Sequence, residues 1–256
     1  MDTSRLLLEC ENINDLAISK VHSKLRKFNF CLIRGLIHPE GLASGLINLK
    51  KFIEDNEDRP CTGETPSEVR DYFMKLSIGL GNHSGHDINR GRFMRTIYLP
   101  INQSDKFGLI QSFRTVAQVR NLLMNKDVNF AIDSPEDDLW TAARVHHFPT
   151  GGGFMVAHKD TLAPSLLKDK ENDYSYFQPI LIMSQKGVDF DKGGGTAMID
   201  GKFEEYENFA ELGDIAVYDV NTIHGVNEVD LHKPFRQRSS GGRYSGLVTL
   251  YKEQCE

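Results

Sequence analysis

Four cysteines in 256 residues, no apolar run near the length of a membrane span and no surplus of positive charge set the first limits on this chain. Cys10, Cys31, Cys61 and Cys255 are scattered, with neither metal-ligand spacing nor framework density, which fits reduced thiols and excludes a disulfide scaffold. A membrane helix needs roughly 18 consecutive apolar residues, and no stretch provides them. The first dozen residues alternate acidic and apolar groups instead of following the basic-then-apolar order of an export signal. These absences lead us to expect a soluble, cytoplasmic protein without disulfides. With 30 Lys+Arg against 36 Asp+Glu the formal net charge is -6, so no general basic field collects phosphates and nucleic acid is a poor partner.

What the chain does have changes period near residue 139. At this length a single domain buries its core without staples, and we expect one domain over 1–256 with a helix-rich elaboration, 1–138, and a β-rich core, 139–256. In the first part Ile13, Leu16, Val21, Leu25 and Phe28 recur at helical spacing, Phe30–Leu36 reads as a strand, and Pro39 opens a second helix with Leu42, Leu46, Leu49 and Ile53 on one face. Thr65-Pro66-Ser67-Glu68 has the form of a capping box, so a third helix is expected through Val69, Tyr72, Phe73 and Leu76. Residues 82–95 read as a loop running into a strand through Tyr98, and a further helix is expected around Phe107–Met124. From 139 onward short runs alternate with turn signals, at Thr141–Phe148, Phe154–His158, Tyr176–Met183, Thr196–Ile199, Ile215–Val220, Ile223–Val229 and Tyr244–Tyr251. Evenly spaced short strands of this kind indicate a sandwich or jelly roll. Residues 161–175 are long and polar enough for a surface lid.

His158 and Asp160 stand at the end of one of these strands. Residues i and i+2 of an extended chain project to one face, so both side chains can reach one ion. The pattern alone is weak: nine histidines and 36 acids give about one H-x-[DE] match by chance, and the chain has two. The other match, His38-Pro39-Glu40, is spent on a helix start, where Pro39 turns the two side chains apart and Glu40 favours the helix dipole. His224 follows a strand and a polar turn that bring it back across the sheet. Two imidazoles and one carboxylate on one face of an octahedral Fe(II) leave three open positions, enough for a bidentate co-substrate and dioxygen. Arg243 and Ser245 share a face of the last strand, and a planar guanidinium there holds a distant carboxylate through paired hydrogen bonds.

In this order the residues resemble the Fe(II)/2-oxoglutarate-dependent dioxygenases. The resemblance covers roughly Leu139 to Tyr251. It rests on Arg144–Phe154 leading into the ligand pair, on Gly194-Gly195-Thr196-Ala197-Met198, on Gly213-Asp214 before an apolar strand, and on Arg243-x-Ser245. It implies a mixed α+β fold, a double-stranded β-helix (jelly-roll, cupin-like) core with N-terminal helices packed around it. It also implies metal ligation and catalysis by His158, Asp160 and His224, a 2-oxoglutarate clamp of Arg243 and Ser245, and oxidation of an unactivated C–H bond with release of succinate and CO2. Aspartate at 160 favours hydroxylation over halogenation, because related halogenases leave that position to chloride.

Two departures stay open. Many members have a tyrosine where Phe148 stands, and a phenylalanine offers no hydroxyl to the co-substrate; His146, on the same strand face, is a candidate for that polar role. Arg236 and Arg238 lie nearer His224 than Arg243 does, and Arg238 is the alternative clamp. Arg90, Arg92 and Arg95 are candidates for recognising an anionic group on the substrate, although a solvated basic loop is the commoner explanation of such charges, by about threefold. A small molecule such as an amino acid or a natural-product intermediate, together with O2, is the expected partner. A cupin-like barrel holding another metal or none, and a dioxygenase acting on protein or nucleic acid, are the alternatives. The oligomeric state is not written in the sequence.

Overall fold

A computed structural model of the chain describes residues 3–59, 68–77, 91–160 and 177–252. In chain order the first part holds β1 (Leu7–Glu9), α1 (Ile18–Phe28), β2 (Cys31–Arg34), α2 (Pro39–Asp55), β3 (Phe73–Ser77), β4 (Gly91–Arg92), β5 (Met94–Leu99) and α3 (Ile110–Leu123). Among the described residues the second part holds β6 (Leu139–Pro149), β7 (Gly153–His158), β8 (Phe177–Ile182), β9 (Gly194–Ile199), β10 (Lys202–Glu205), β11 (Ile215–Asp219), β12 (His224–Val229) and β13 (Gly242–Lys252).

The helices form where their stripes require them. Val21, Leu25 and Phe28 are the buried side of α1, which stops at Asn29 in the left-handed conformation, φ 60°. Pro39 stands in the first turn of α2, which buries Leu42, Leu46, Leu49 and Ile53. Before α3 the Asp105 carboxylate accepts the backbone N–H groups of Phe107, Gly108, Leu109 and Ile110, which satisfies donors that a helix start otherwise leaves unpaired.

The strands make two sheets, one of eight in the order β1-β2-β11-β8-β13-β6-β5-β3 and one of five in the order β10-β9-β12-β7-β4. The five strands β1 to β5 of the first part therefore belong to the sheets themselves, so residues 1–138 supply more than surrounding helices. One face of the large sheet packs Ile33, Ile97, Val145, Leu181, Val217 and Val248 into a core shared with all three helices. The opposite face packs Ile180, Ile182, Ala216 and Leu247 against Ala197 and Ile199 of the small sheet. This second interior is the barrel.

One expected element is corrected. The helix through Val69, Tyr72, Phe73 and Leu76 is a short 3-10 turn, Glu68–Arg70, followed by β3. Phe73, Lys75 and Ser77 pair directly with Tyr98, Thr96 and Met94 of β5, and this tertiary pairing overrides the local helical spacing. Residues 65–67 of the capping box, and the segment 161–175 expected to form a lid, lie outside the described residues. Strand β10 was missing from the sequence reading, because Lys202–Glu205 is charged and carries no apolar alternation.

Candidate metal centre

Antiparallel pairing sets which side chains meet in the barrel. Directly paired residues face the same side of a sheet, so Lys75, Thr96, His146, Ser245 and Ile182 form one row across β3, β5, β6, β13 and β8. The neighbouring row contains Met94, Phe148 and Arg243. On the facing sheet His224 pairs with Ala197 on one side and His158 on the other. His158 is the last residue of β7, and Asp160 follows two positions later.

The structure brings His158, Asp160 and His224 together, with one donor atom from each lying within 4.8 Å of the others. His158 Nε2 is 3.8 Å from Asp160 Oδ1, and His224 Nε2 is 3.8 Å from Asp160 Oδ2. Two ligands each about 2.1 Å from a common ion stand at most roughly 4.2 Å apart, so these separations suit one ion between them. Backbone carbonyls settle which nitrogen faces it. His158 Nδ1 donates to Val156 O at 2.7 Å and His224 Nδ1 to Thr222 O at 3.0 Å, so in each ring Nε2 is the nitrogen turned toward Asp160. The ring of Tyr218 stacks on His224 with centroids 4.4 Å apart and holds its plane. A second acid and histidine cluster, Asp191, Asp230 and His232, has a different character. Lys233 pairs with both of its acids, and Asp230 accepts the backbone N–H groups of Asp191 and Lys192, so this group braces a loop.

Arg243 lies inside the barrel and is 1% exposed. Its Nε donates to Glu207 Oε1 and Oε2 at 2.8 and 3.0 Å, and Nη2 stands 2.8 Å from Oε1. Nη2 also donates to Tyr206 Oη at 3.3 Å, and Nη1 donates to Ser245 Oγ at 3.0 Å. The Phe148 ring lies 5.2 Å from the guanidinium carbon. Glu207 is buried too and accepts the Gly195 N–H at 2.9 Å. Burial pushes the Tyr206 hydroxyl up to about 12, against the opposing pull of Arg243. Tyr206 and Glu207 come from a 3-10 turn, Tyr206–Asn208, after β10. Sequence reading missed both, since the stretch Glu204-Glu205-Tyr206-Glu207 has the composition of a solvated turn.

The other sequence candidates divide. His146 stands beside Ser245 on the barrel face, its ring edge toward Phe148 at 6.2 Å. Arg238 is exposed at the surface and paired with Glu57, so of the two clamp candidates only Arg243 lies in the barrel. Arg95 requires a correction: it pairs with His147, on the helix-facing side of the sheet, and its guanidinium is held by Asp58 at 2.7 and 2.8 Å and by His147 Nδ1 at 2.9 Å. Buried and committed on that side, it does not face His158, Asp160 and His224. Arg92 belongs to β4, with its side chain outside the description, and Arg90 lies outside the described residues. Two cations that the sequence reading passed over, Lys75 and Arg144, do occupy the barrel face. Arg144 donates to Tyr251 Oη and Thr249 Oγ1 at 3.2 and 3.3 Å.

No family model matches the sequence, and no curated protein sequence matches it. Solved structures do. A prolyl-4-hydroxylase from Pseudomonas putida superposes with a TM-score of 0.53 at 13% identity, covering 92% of this chain and 98% of that one. A prolyl hydroxylase from Trichoplax adhaerens, in complex with a hypoxia inducible factor peptide fragment, gives 0.53 at 11% identity over 92% and 89% of the two chains. The epimerase SnoN, in complex with Fe3+, alpha ketoglutarate and nogalamycin RO, gives 0.51 at 12% identity over 92% and 84%. The chain has the fold of the Fe(II)/2-oxoglutarate-dependent oxygenases. At these identities the likeness shows the oxygenase fold alone, and the residues present must carry any statement about chemistry. Among the described residues no helix is long and apolar enough to cross a membrane.

Proposed function

We propose that the protein is an Fe(II)- and 2-oxoglutarate-dependent oxygenase that oxidises a C–H bond of a small polar molecule, such as an amino acid or natural-product intermediate. The observation that carries this reading is the joint placement of two features in one barrel. A two-histidine, one-carboxylate set has both Nε2 atoms turned to a common point, and a buried arginine with a hydroxyl on either side stands nearby. The donor set fits Fe(II), since two neutral imidazoles and one carboxylate leave half of an octahedron open. Bound there with 2-oxoglutarate and O2, iron supplies an oxidant strong enough for an unactivated C–H bond, with succinate and CO2 as co-products.

The chain's own residues do the positioning. His158, Asp160 and His224 hold the metal, their orientations fixed through the Val156 and Thr222 carbonyls. Arg243 and Ser245 hold the distal carboxylate. Gly195, whose side of β9 meets Arg243, is two residues from Ala197, the partner of His224, so the clamp lies roughly 7 Å along the strand from the metal ligand, a span that suits a five-carbon diacid. His146, paired opposite Ser245 on the barrel face, supplies a further polar contact to the co-substrate. Lys75, Thr96, Arg144 and Gln178 add polar and cationic groups to an otherwise largely apolar barrel face, which favours a substrate bearing a carboxylate. Asp160 occupies the position a halide needs, so hydroxylation is the default outcome. A peptide substrate is the second reading, favoured by the peptide bound in the T. adhaerens neighbour.

The test is anaerobic titration of Fe(II)-loaded protein with 2-oxoglutarate, followed by a turnover screen for succinate across amino acids and small metabolites. A visible metal-to-ligand charge-transfer band, and succinate above the uncoupled background with one substrate class, are expected. Both signals should vanish in His158→Ala, Asp160→Ala and His224→Ala. A wild-type protein showing neither signal would remove the oxygenase reading and leave a barrel that binds another metal or none.

A further inference from the structure

Two buried hydroxyls beside Arg243 are only half used. Tyr206 Oη accepts from Nη2 and Ser245 Oγ accepts from Nη1, and among the described residues neither hydroxyl donates to any group. Nη1 also keeps one hydrogen beyond the contact to Ser245. The other edge of the guanidinium, Nε with Nη2, is taken by Glu207. The result is three unspent donors, all in side chains at most 3% exposed, with no acceptor between them. Buried donors without acceptors cost free energy, so a cluster of them marks the place of a missing acceptor.

From this we infer that Tyr206 is a co-substrate-binding residue: its hydroxyl, with Ser245 and the Nη1 edge of Arg243, receives the distal carboxylate of 2-oxoglutarate. The inference rests on the oxygenase reading and adds a residue to it. Three further facts support the assignment. The Phe148 ring, 5.2 Å from the guanidinium carbon, has no hydroxyl to give. Tyr206 reaches the barrel interior because β9 has glycine at 195; a Cβ there would run into the Tyr206 hydroxyl and come within 2.9 Å of Arg243 Nη2. The Tyr206 hydroxyl is pushed up to about 12, so it stays protonated and serves as a donor at any physiological pH. Glu207 gives the arrangement its direction. By engaging the Nε edge and already matching the arginine's charge, it leaves the incoming carboxylate to be held mainly by the two hydroxyls. That raises the importance of Tyr206.

The test compares two 2-oxo acids by calorimetric titration into Mn(II)-loaded protein, which reads binding without turnover. One is 2-oxoglutarate; the other is 2-oxopentanoate, of equal chain length but without the distal carboxylate. Tyr206→Phe should weaken 2-oxoglutarate about tenfold or more, the loss typical of a hydrogen bond to a charged group, and leave 2-oxopentanoate within about twofold. If Tyr206→Phe is too unstable for calorimetry, the thermal shift produced by Mn(II) with each acid gives the same comparison. An unchanged 2-oxoglutarate affinity, or an equal weakening of both acids, would overturn the role. Wild-type protein that binds neither acid would overturn the oxygenase reading itself.

Discussion

His158 and His224 owe their ring orientation to a carbonyl oxygen each. With Nδ1 tied to the backbone two residues earlier in the chain, Nε2 is the nitrogen that points at Asp160 in both rings. The pair His158 and Asp160 was legible in the sequence because strand alternation alone places i and i+2 on one face, and the rival His38 was legible as the residue before the proline that opens α2. Arg243 was legible for the same reason, as the first inward position of an alternating strand that also carries Ser245. Its partner was not: Glu207 looks like one acid among several, and only the fold buries it against the arginine. Arg95 failed in the opposite sense, since its side of the sheet depends on the register of β5 against β6. At this scale the buried pair has a testable energy. Removing one member leaves the other as an uncompensated buried charge, which costs about 3–5 kcal/mol. Glu207→Ala is therefore expected to lower the stability of the metal-free protein by about that amount in urea denaturation, and added 2-oxoglutarate should recover part of it by supplying a carboxylate. A midpoint that does not move would mean that Arg243 finds another acid.

Strands β6, β7, β8, β11, β12 and β13 were legible to within a few residues because apolar runs and turn signals mark them, whereas β3 and β10 were not. Phe73–Ser77 can be read with either period, and its pairing with β5 decides. Lys202–Glu205 has no apolar signal, and β10 exists because Glu205, Glu204, Phe203 and Lys202 pair in register with Thr196 to Ile199. That hairpin sets where the following turn delivers Tyr206 and Glu207, so a weakly coded strand positions part of the site. The glycines of β9 complete the arrangement. Gly195→Ala is expected to push Tyr206 off Arg243 and weaken 2-oxoglutarate binding to the Mn(II) protein as much as Tyr206→Phe does, while Mn(II) affinity itself stays unchanged. Gly41→Ala is the matched control. That exposed glycine lies in α2 with nothing within 4 Å of an added Cβ, so the change is expected to stabilise by up to about 1 kcal/mol through helix propensity. Equal 2-oxoglutarate affinities for Gly195→Ala and wild type would show that the floor of the pocket has room to spare.

Across the whole molecule the large sheet is a partition with opposite polarity problems on its two sides. The barrel side holds His158, Asp160 and His224 together with the buried Arg243 and Glu207, while the helix side buries Asp58, Arg95, His147 and Tyr244 in one cluster. There His147 stacks on Tyr244 with centroids 4.2 Å apart, accepts from Arg95 at Nδ1 and donates from Nε2 to Gly241 O at 3.1 Å. Burial first, then the charge of Arg95, hold His147 well below its ordinary value against the opposing effect of the Gly241 carbonyl, with Lys50 adding least. The folded protein therefore keeps this ring neutral, while the unfolded chain protonates it below about pH 6.5. Where the unfolded state binds the extra proton, stability falls as pH falls, by up to about 1.4 kcal/mol per unit for one such group. This contribution is complete above pH 6.5 and is lost on acidification toward the depressed folded value. His22, also shifted down but more exposed, adds a smaller effect of the same sign. Urea denaturation of the metal-free protein is accordingly expected to show stability declining from pH 6.5 to 5.5. In His147→Gln, whose amide can accept from Arg95 and donate to Gly241 without titrating, that decline should shrink by about the share of one group. A slope that is the same in both proteins would place the acid sensitivity elsewhere, with the histidines of the barrel as the next groups to replace.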